Sequence, residues 1–357
     1  FVNKESAVVW RGAMASNAVI GAAKYGVYAY LKHFALNDQE TNRTNMLLTW
    51  SNEQAIREIY LKPFEMAVKQ GGAKAIMSAF NYIGTEPAGA SDALLNTVLR
   101  DEWGFKYLVV SDCGAVTDIY ESHKTASDAV HATAKATLAG TDVECGFNYT
   151  YKSIPDAVKR GLISESEVDK HVTRLLEGRF ELGEMDDPSL VEWSKIPYSV
   201  MDCKEHRQTA LDMARQTIVL LQNKGDVLPL KKNTEKIAVI GPNADNTPMM
   251  WGNYNGTPNR TINILDGIKA KQKNIVYIKG CDLTDDKIVN PLFDQCSMNG
   301  KKGLRGTFWN NTEMKGSPVT TQYYNNMVSV TTAGMHNFAP NVKIEDFSAK
   351  YETMLHP

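Results

Sequence analysis

The stretch VYAYLKHFALNDQETNR, residues 27–43, decides how the rest of the chain is read. Its first part is strand-like: Val27 to Leu31 is apolar apart from tyrosines, and β-branched and aromatic residues suit a half-buried pleated strand. The lead-in ends in Lys32 and His33. Within seven residues Asn37, Asp38, Gln39, Glu40, Asn42 and Arg43 then follow. A solvated loop accounts for such a run. So does the rim of a sugar pocket at the C-terminal end of a barrel strand, where parallel α/β barrels carry their chemistry.

Outward from this stretch the pattern repeats. AKAIMSAFN (73–81), YLVVSDCGA (107–115) and DVECG (142–146) read as strands or strand ends that finish on polar residues. Helical stretches lie between them. AMASNAVIGAAKYG (13–26) ends at Gly26. SNEQAIREIYLKPFEMAVKQGG (51–72) has Ser51 as N-cap, Gln54 completing a capping box, and a Gly71-Gly72 stop. ASDALLNTVLRDEWG (90–104) offers Ser91 as a cap. SDAVHATAKATLAG (127–140), SIPDAVKRGLIS (153–164) and SEVDKHVTRLLEGRFELG (166–183) complete the series. Strand–helix units with polar strand ends predict part of a (β/α)8 barrel over residues 1–190. Four units are visible where a closed barrel needs eight, so the N-terminal half is expected upstream. Phe1, not methionine, heads the chain. Half a barrel would expose strand edges, and poor solubility is expected of it alone.

Residues 191–235 read as a linker with one helix, CKEHRQTALDMARQTIVLLQN (203–223). KIAVIGPNAD (236–245) opens a second α/β segment, over 236–298. It superficially resembles a dinucleotide-binding turn, but Pro242 follows Gly241 and G-x-G-x-x-G is absent, so that reading is rejected. From 299 to 357 the texture is Thr-, Asn- and aromatic-rich, as in antiparallel β-structure.

The chain has 357 residues, 43% apolar and 22% charged, with a net charge of −2. This is ordinary globular composition, without the basic excess that nucleic acid or an anionic membrane surface would select. No apolar run is long enough to cross a bilayer, and no signal peptide is visible. The five cysteines contain no CxxC pair, which argues against structural zinc. No metal, nucleotide or other cofactor is implied, and a homo-oligomer is left open.

Among residues that could carry chemistry, Asp112 comes first. It follows Leu108-Val109-Val110-Ser111 and precedes Cys113-Gly114, the place where a barrel sets a nucleophile or base. The alternative is an Asp that caps the next helix. Lys32 could be a Schiff-base nucleophile, an anion anchor or a donor to sugar hydroxyls, or simply a snorkelling lysine. His33 could equally be a satisfied core histidine. Asn81 tips the third strand; Asp142 and Glu144 tip the fourth. Asp101 and Glu102 read as decoration of a helix end.

Taken together, KHFALNDQETNR, IMSAFN, LNTVLRDEWGF, VVSDCGA and AGTDVECG resemble, in order and spacing, the motifs of glycoside hydrolase family 3. VLLQNKGDVLPL followed by KIAVIGPNAD resembles the entry to that family's α/β-sandwich domain. GLRGTFWNNTEMKGSP resembles the opening of the PA14-type β-module found in many members. The resemblance implies a retaining glycosidase acting on β-linked oligosaccharides or aryl glycosides. Asp112 would be its nucleophile, with Lys32, His33 and Arg43 gripping the sugar and Phe80, Asn81, Cys113 and Glu144 beside the same subsite. Phe80 stands where a tyrosine would add a hydroxyl. The acid/base of the family is usually a Glu of the second domain beyond the PA14 insertion, and it is expected outside this chain.

Cys113 follows Asp112 where many β-glucosidases have Trp, and Glu144-Cys145 lies 32 positions on from that cysteine. This pairing resembles the β-xylosidase branch, whose cysteines can bridge beside the subsite and crowd the space of a glucose hydroxymethyl group. A bridge would stabilise by roughly 3–4 kcal/mol in the chain-entropy model and would favour a periplasmic or secreted location. Two free cysteines remain the alternative. On this pairing β-xyloside is the first expectation; against it, the chain before Phe105 resembles bacterial β-glucosidases and only the chain after it xylosidases, so β-glucoside is the second. Two other classes compete. An aldolase using Lys32 would be trapped by borohydride with a carbonyl substrate; a non-catalytic carbohydrate-binding protein would bind sugar without turnover.

Overall fold

A computed structural model describes residues 4–44, 48–146, 149–231, 234, 236–256, 258–283, 295–325, 337–343 and 346–356. The chain divides into two compact units, residues 1–214 and 215–357.

In the first unit, α1 (Lys4–Ala23) leads into β1 (Tyr30–Phe34). A helical stretch follows, capped by Asn52, whose side chain accepts from Ala55 N–H at 2.8 Å. The predicted cap was Ser51. The helix begins one residue later, and Asn52 fills the role that any short polar acceptor can take. Gln54 makes no capping-box bond; its amide donates to Glu58. The stretch runs through a π-turn segment, Ile56–Leu61, into α2 (Lys62–Lys69). Then come β2 (Ala75–Ser78), a second π segment (Ala93–Glu102), β3 (Leu108–Ser111), α3 (Ala115–Glu121), α4 (Ala129–Ala139), α5 (Ile154–Lys159) and α6 (Glu165–Glu181). Ser91 does cap the second π segment, its Oγ accepting from Leu94 N–H at 3.4 Å.

β1, β2 and β3 form one parallel sheet in sequence order, with Leu31 opposite Ile76 and Ile76 opposite Val109. Val143 extends it by a parallel bridge to Val110. Parallel neighbours joined through helices are the βαβ unit. The helix-facing core gathers Phe34, Ile76, Leu95, Leu99 and Val109, all fully buried. Phe34 packs edge-on to Phe64 at 5.1 Å and against Trp103 at 5.8 Å. Each such side chain contributes about 1.5–3 kcal/mol by leaving water.

Two carboxylates hold the start of the sheet. At its base, Glu181 in the last turn of α6 accepts from Tyr28, Lys74 and Tyr107, residues that stand just ahead of β1, β2 and β3. Behind it lies Asp142, whose side chain is fully buried. Asp142 accepts from Arg100 Nη2 at 2.8 Å, Arg174 Nη1 at 2.8 Å, His171 Nδ1 at 2.6 Å and Val109 N–H at 2.7 Å. Burial alone would raise its pKa; these donors outweigh it and hold the carboxyl below the usual Asp range.

In the second unit, Ile237–Ile240 pairs in parallel with Ile275–Ile278, and Leu265 fills the core beside them. Leu304–Trp309 is the centre of an antiparallel sheet flanked by Thr320–Tyr324 and Ser348–Glu352, over a core of Phe308, Ala339 and Val342. Antiparallel β-structure here matches the sequence reading. Residues 326–332 of that reading lie outside the described residues.

Candidate active site

The sheet register brings the strand ends into line. Ala79 N–H donates to Phe34 C=O at 2.7 Å, Asp112 N–H to Ser78 C=O at 3.1 Å, and Ser111 N–H to Val143 C=O at 2.9 Å. The polar residues that follow these positions therefore share one edge. Asp112 is 8% exposed. Its Oδ1 accepts from Cys113 N–H at 2.8 Å. Its Oδ2 makes no hydrogen bond within the described residues. That oxygen faces His33 Nε2 at 3.4 Å and Arg43 Nη1 at 3.6 Å.

His33 lies on β1, whose register against β2 shifts between Leu31 and Phe34. Burial lowers its pKa; Asp112 works the other way, while Lys32 and Arg43 lower it further. The imidazole is therefore neutral at neutral pH. Arg43 comes from the polar run after β1. Its guanidinium lies over the Phe80 ring, 4.6 Å from the centroid, and its Nε is 3.1 Å from Glu40. Phe80 thus serves as an aromatic floor for a cation.

Behind Asp112 the chain turns through Gly114, at φ +87°, into α3. Gly114 N–H donates to Cys145 C=O at 2.8 Å, and Cys145 N–H to Ser111 Oγ at 3.0 Å. A Cβ on Gly146 would come within 3.0 Å of the Gly114 nitrogen. In this close crossing Cys113 and Cys145 are joined as a disulfide.

Two cavities adjoin the cluster. One, of about 420 Å³, is lined by Lys32 and His33 together with Arg11, Asn37, Asp38 and Tyr60. The other, of about 310 Å³, is lined by Phe80, Cys113, Thr44, Thr117 and Asp118. Burial pushes the Asp118 carboxyl up, against the Ser122 hydroxyl that donates to it at 2.9 Å.

Two further residues expected at the sugar, Asn81 and Glu144, are buried and carry hydrogen bonds of their own. Asn81 is fully buried, and its amide donates to Ala35 C=O at 3.2 Å and Tyr82 C=O at 3.1 Å. Glu144 is buried, with Oε2 accepting from Tyr151 N–H at 2.7 Å. Neither lines the two cavities, and nor do Asp112 and Arg43; Asn81 Oδ1 and Glu144 Oε1, like Asp112 Oδ2, have no hydrogen bond among the described residues. A strand-end position alone could not distinguish a side chain facing the opening from one bound by its neighbours. Asp142 and His123 have structural connections that no local pattern revealed: their partners lie 29–42 and 80 positions away.

Two family models match: the glycosyl hydrolase family 3 N-terminal domain over residues 5–177 and its C-terminal domain over 218–350. The chain belongs to glycosyl hydrolase family 3. Among family members, a xylan 1,4-beta-xylosidase of Xylanibacter ruminicola is 64% identical over 330 residues, covering 92% of this chain and 38% of the relative. A periplasmic beta-glucosidase of Salmonella typhimurium is 33% identical over 279 residues, covering 74% of this chain and 35% of the relative. The chain thus spans little more than a third of these relatives. A family 3 exo-beta-xylosidase, solved with a xylobiose aziridine probe, superposes with a TM-score of 0.71 at 29% identity, over 77% of this chain and 37% of that one. The beta-glucosidase of Listeria innocua, solved with glucose, gives 0.66 at 27% identity over 78% and 39%. These likenesses support the α/β fold of the chain.

Proposed function

We propose that this chain supplies the nucleophile and part of the sugar grip of a retaining β-glycosidase, with β-xylosides as its first substrates. One observation carries the reading: Asp112 presents a buried Oδ2, without a hydrogen bond among the described residues, between a neutral imidazole and a guanidinium. That oxygen attacks the anomeric carbon as the glycosidic C–O bond breaks, forming a glycosyl ester. Water then cleaves the ester and restores the carboxylate. In retaining enzymes a second carboxylic acid ~5–5.5 Å away protonates the leaving oxygen; we assign it to no residue of this chain.

Lys32, His33 and Arg43 hold the sugar hydroxyls, and Phe80 supports the Arg43 plane. The Cys113–Cys145 bridge forms the wall that favours a pentose. The xylosidase relative supports this preference, while the glucosidase relative supports β-glucosides as the second reading. The bridge also supports a periplasmic or extracellular location, since disulfides persist where conditions are oxidising. The parallel sheet is read as part of a (β/α)8 barrel, 236–298 as the start of an α/β sandwich, and 299–357 as the start of a PA14-like module.

The test uses 2,4-dinitrophenyl β-xyloside, whose phenolate departs without acid help. A stoichiometric burst of dinitrophenolate is expected, larger in rate than with the β-glucoside and abolished in Asp112→Ala. A burst that survives in Asp112→Ala overturns the assignment. Sugar binding without any burst favours a carbohydrate-binding role.

A further inference from the structure

The loop that carries Arg43 follows β1 as turns, with Asn42 at φ +64°. Yet the Arg43 guanidinium stands 3.6 Å from Asp112 Oδ2. The connection that steadies it comes from the loop after α3. His123 is 1% exposed, and its Nε2 lies 3.2 Å from the Arg43 carbonyl oxygen. A carbonyl only accepts, so Nε2 carries the proton and donates.

His123 is itself held on three sides. Its backbone N–H donates to Asp118 C=O at 2.7 Å. Its carbonyl accepts from the Tyr82 hydroxyl at 2.6 Å, and its ring lies against the Tyr82 ring with centroids 4.5 Å apart. Tyr82 in turn follows Asn81, whose amide is bonded to Ala35 C=O at the end of β1. The chain of contacts runs from the strand ends through Tyr82 and His123 to the Arg43 backbone.

We propose that His123 is a positioning residue for Arg43, gripping its main chain so that the guanidinium stands at Asp112 and over Phe80. This rests on the glycosidase reading above. Misplacement by about 1 Å of a group that orients the reacting atoms costs roughly 10²-fold in rate. His123→Met keeps bulk and loses the donor. His123→Gln restores an N–H donor on a side chain of similar reach.

The test measures the burst rate constant with 2,4-dinitrophenyl β-xyloside for the full chain and its variants. His123→Met is expected to slow the burst about 10²-fold, and His123→Gln to recover most of that loss. In a cycle with Arg43→Ala, the double variant is expected to be no slower than Arg43→Ala alone, because His123 acts through Arg43. Losses that multiply, or a His123→Met burst at the unsubstituted rate, overturn the proposal. If His123→Met does not fold, Tyr82→Phe carries the same cycle by removing the hydroxyl that holds the His123 carbonyl. A folded, unsubstituted chain without a burst defeats the glycosidase reading, and this role with it; a burst that ignores His123 and Tyr82 defeats only this role.

Discussion

The two oxygens of Asp112 have different surroundings, and the difference defines their roles. Oδ1 is anchored by Cys113 N–H; Oδ2 faces His33 and Arg43. Anchoring one oxygen orients the other. His33 adds a pH dependence with a definite sign. Its pKa lies below the ordinary 6.5, chiefly through burial, so the ring is neutral at pH 7 and gains its proton only on the acid side. An imidazolium at 3.4 Å would pair with the Oδ2 charge and blunt its attack. The burst rate constant is therefore expected to fall with an apparent pKa below 6.5, and His33→Gln is expected to remove that limb. A limb unchanged in His33→Gln would show that His33 does not set it. Asp112, Lys32 and His33 stand out in sequence as charged strand ends, each with an alternative as helix cap, snorkelling lysine or core histidine, and it is the fold that sets His33 Nε2 3.4 Å from Asp112 Oδ2. His123 does not stand out in sequence: no motif marks it, and only the fold delivers it to Arg43.

Among the elements, Asp142 joins three that are distant in sequence: Arg100 on the second π segment, Val109 on β3, and His171 with Arg174 on α6. Removing its charge leaves two arginines with a neutral partner in a dry site. Breaking a buried pair in this way typically costs about 3–5 kcal/mol, and Asp142→Asn is expected to lose that much in urea unfolding at pH 7. Because the folded-state pKa is depressed, the contribution is present above the unfolded Asp value and is lost as pH falls through the folded one. Stability equal to the unsubstituted protein would show the site to be wetter than the structure implies. The strands and most helices could be read from their apolar periods and Gly stops. The π segments could not, since one extra residue per turn leaves an apolar pattern that still looks helical. The cap at Asn52 was missed by one residue because Ser51 and Asn52 are equally good acceptors.

For the whole molecule, the cores decide. The clusters around Phe34 and Val109 belong entirely to residues 1–214, and those around Leu265 and Phe308 to 215–357. Two calorimetric transitions are expected. Asp142→Asn should lower one of them. Phe308→Ala, which empties a fully buried site at a cost of about 3–5 kcal/mol, should lower the other. A single transition moved by both variants would make the two units one cooperative body. The division at residue 214 lies inside residues 191–235, which the sequence reading takes as a linker with one helix.

The Glu181 clasp at the base of the sheet carries a consequence for biosynthesis. Its three donors enter with β1, β2 and β3, but the acceptor is 70 residues beyond Ser111. At about 5–20 residues per second, a ribosome would take roughly 4–14 s to add it. Over that interval the three strands are already made while Lys74 waits between two tyrosines for its counter-charge. The nascent sheet is therefore expected to depend on chaperones until α6 emerges, and a stall placed ahead of Glu181 is expected to prolong that state.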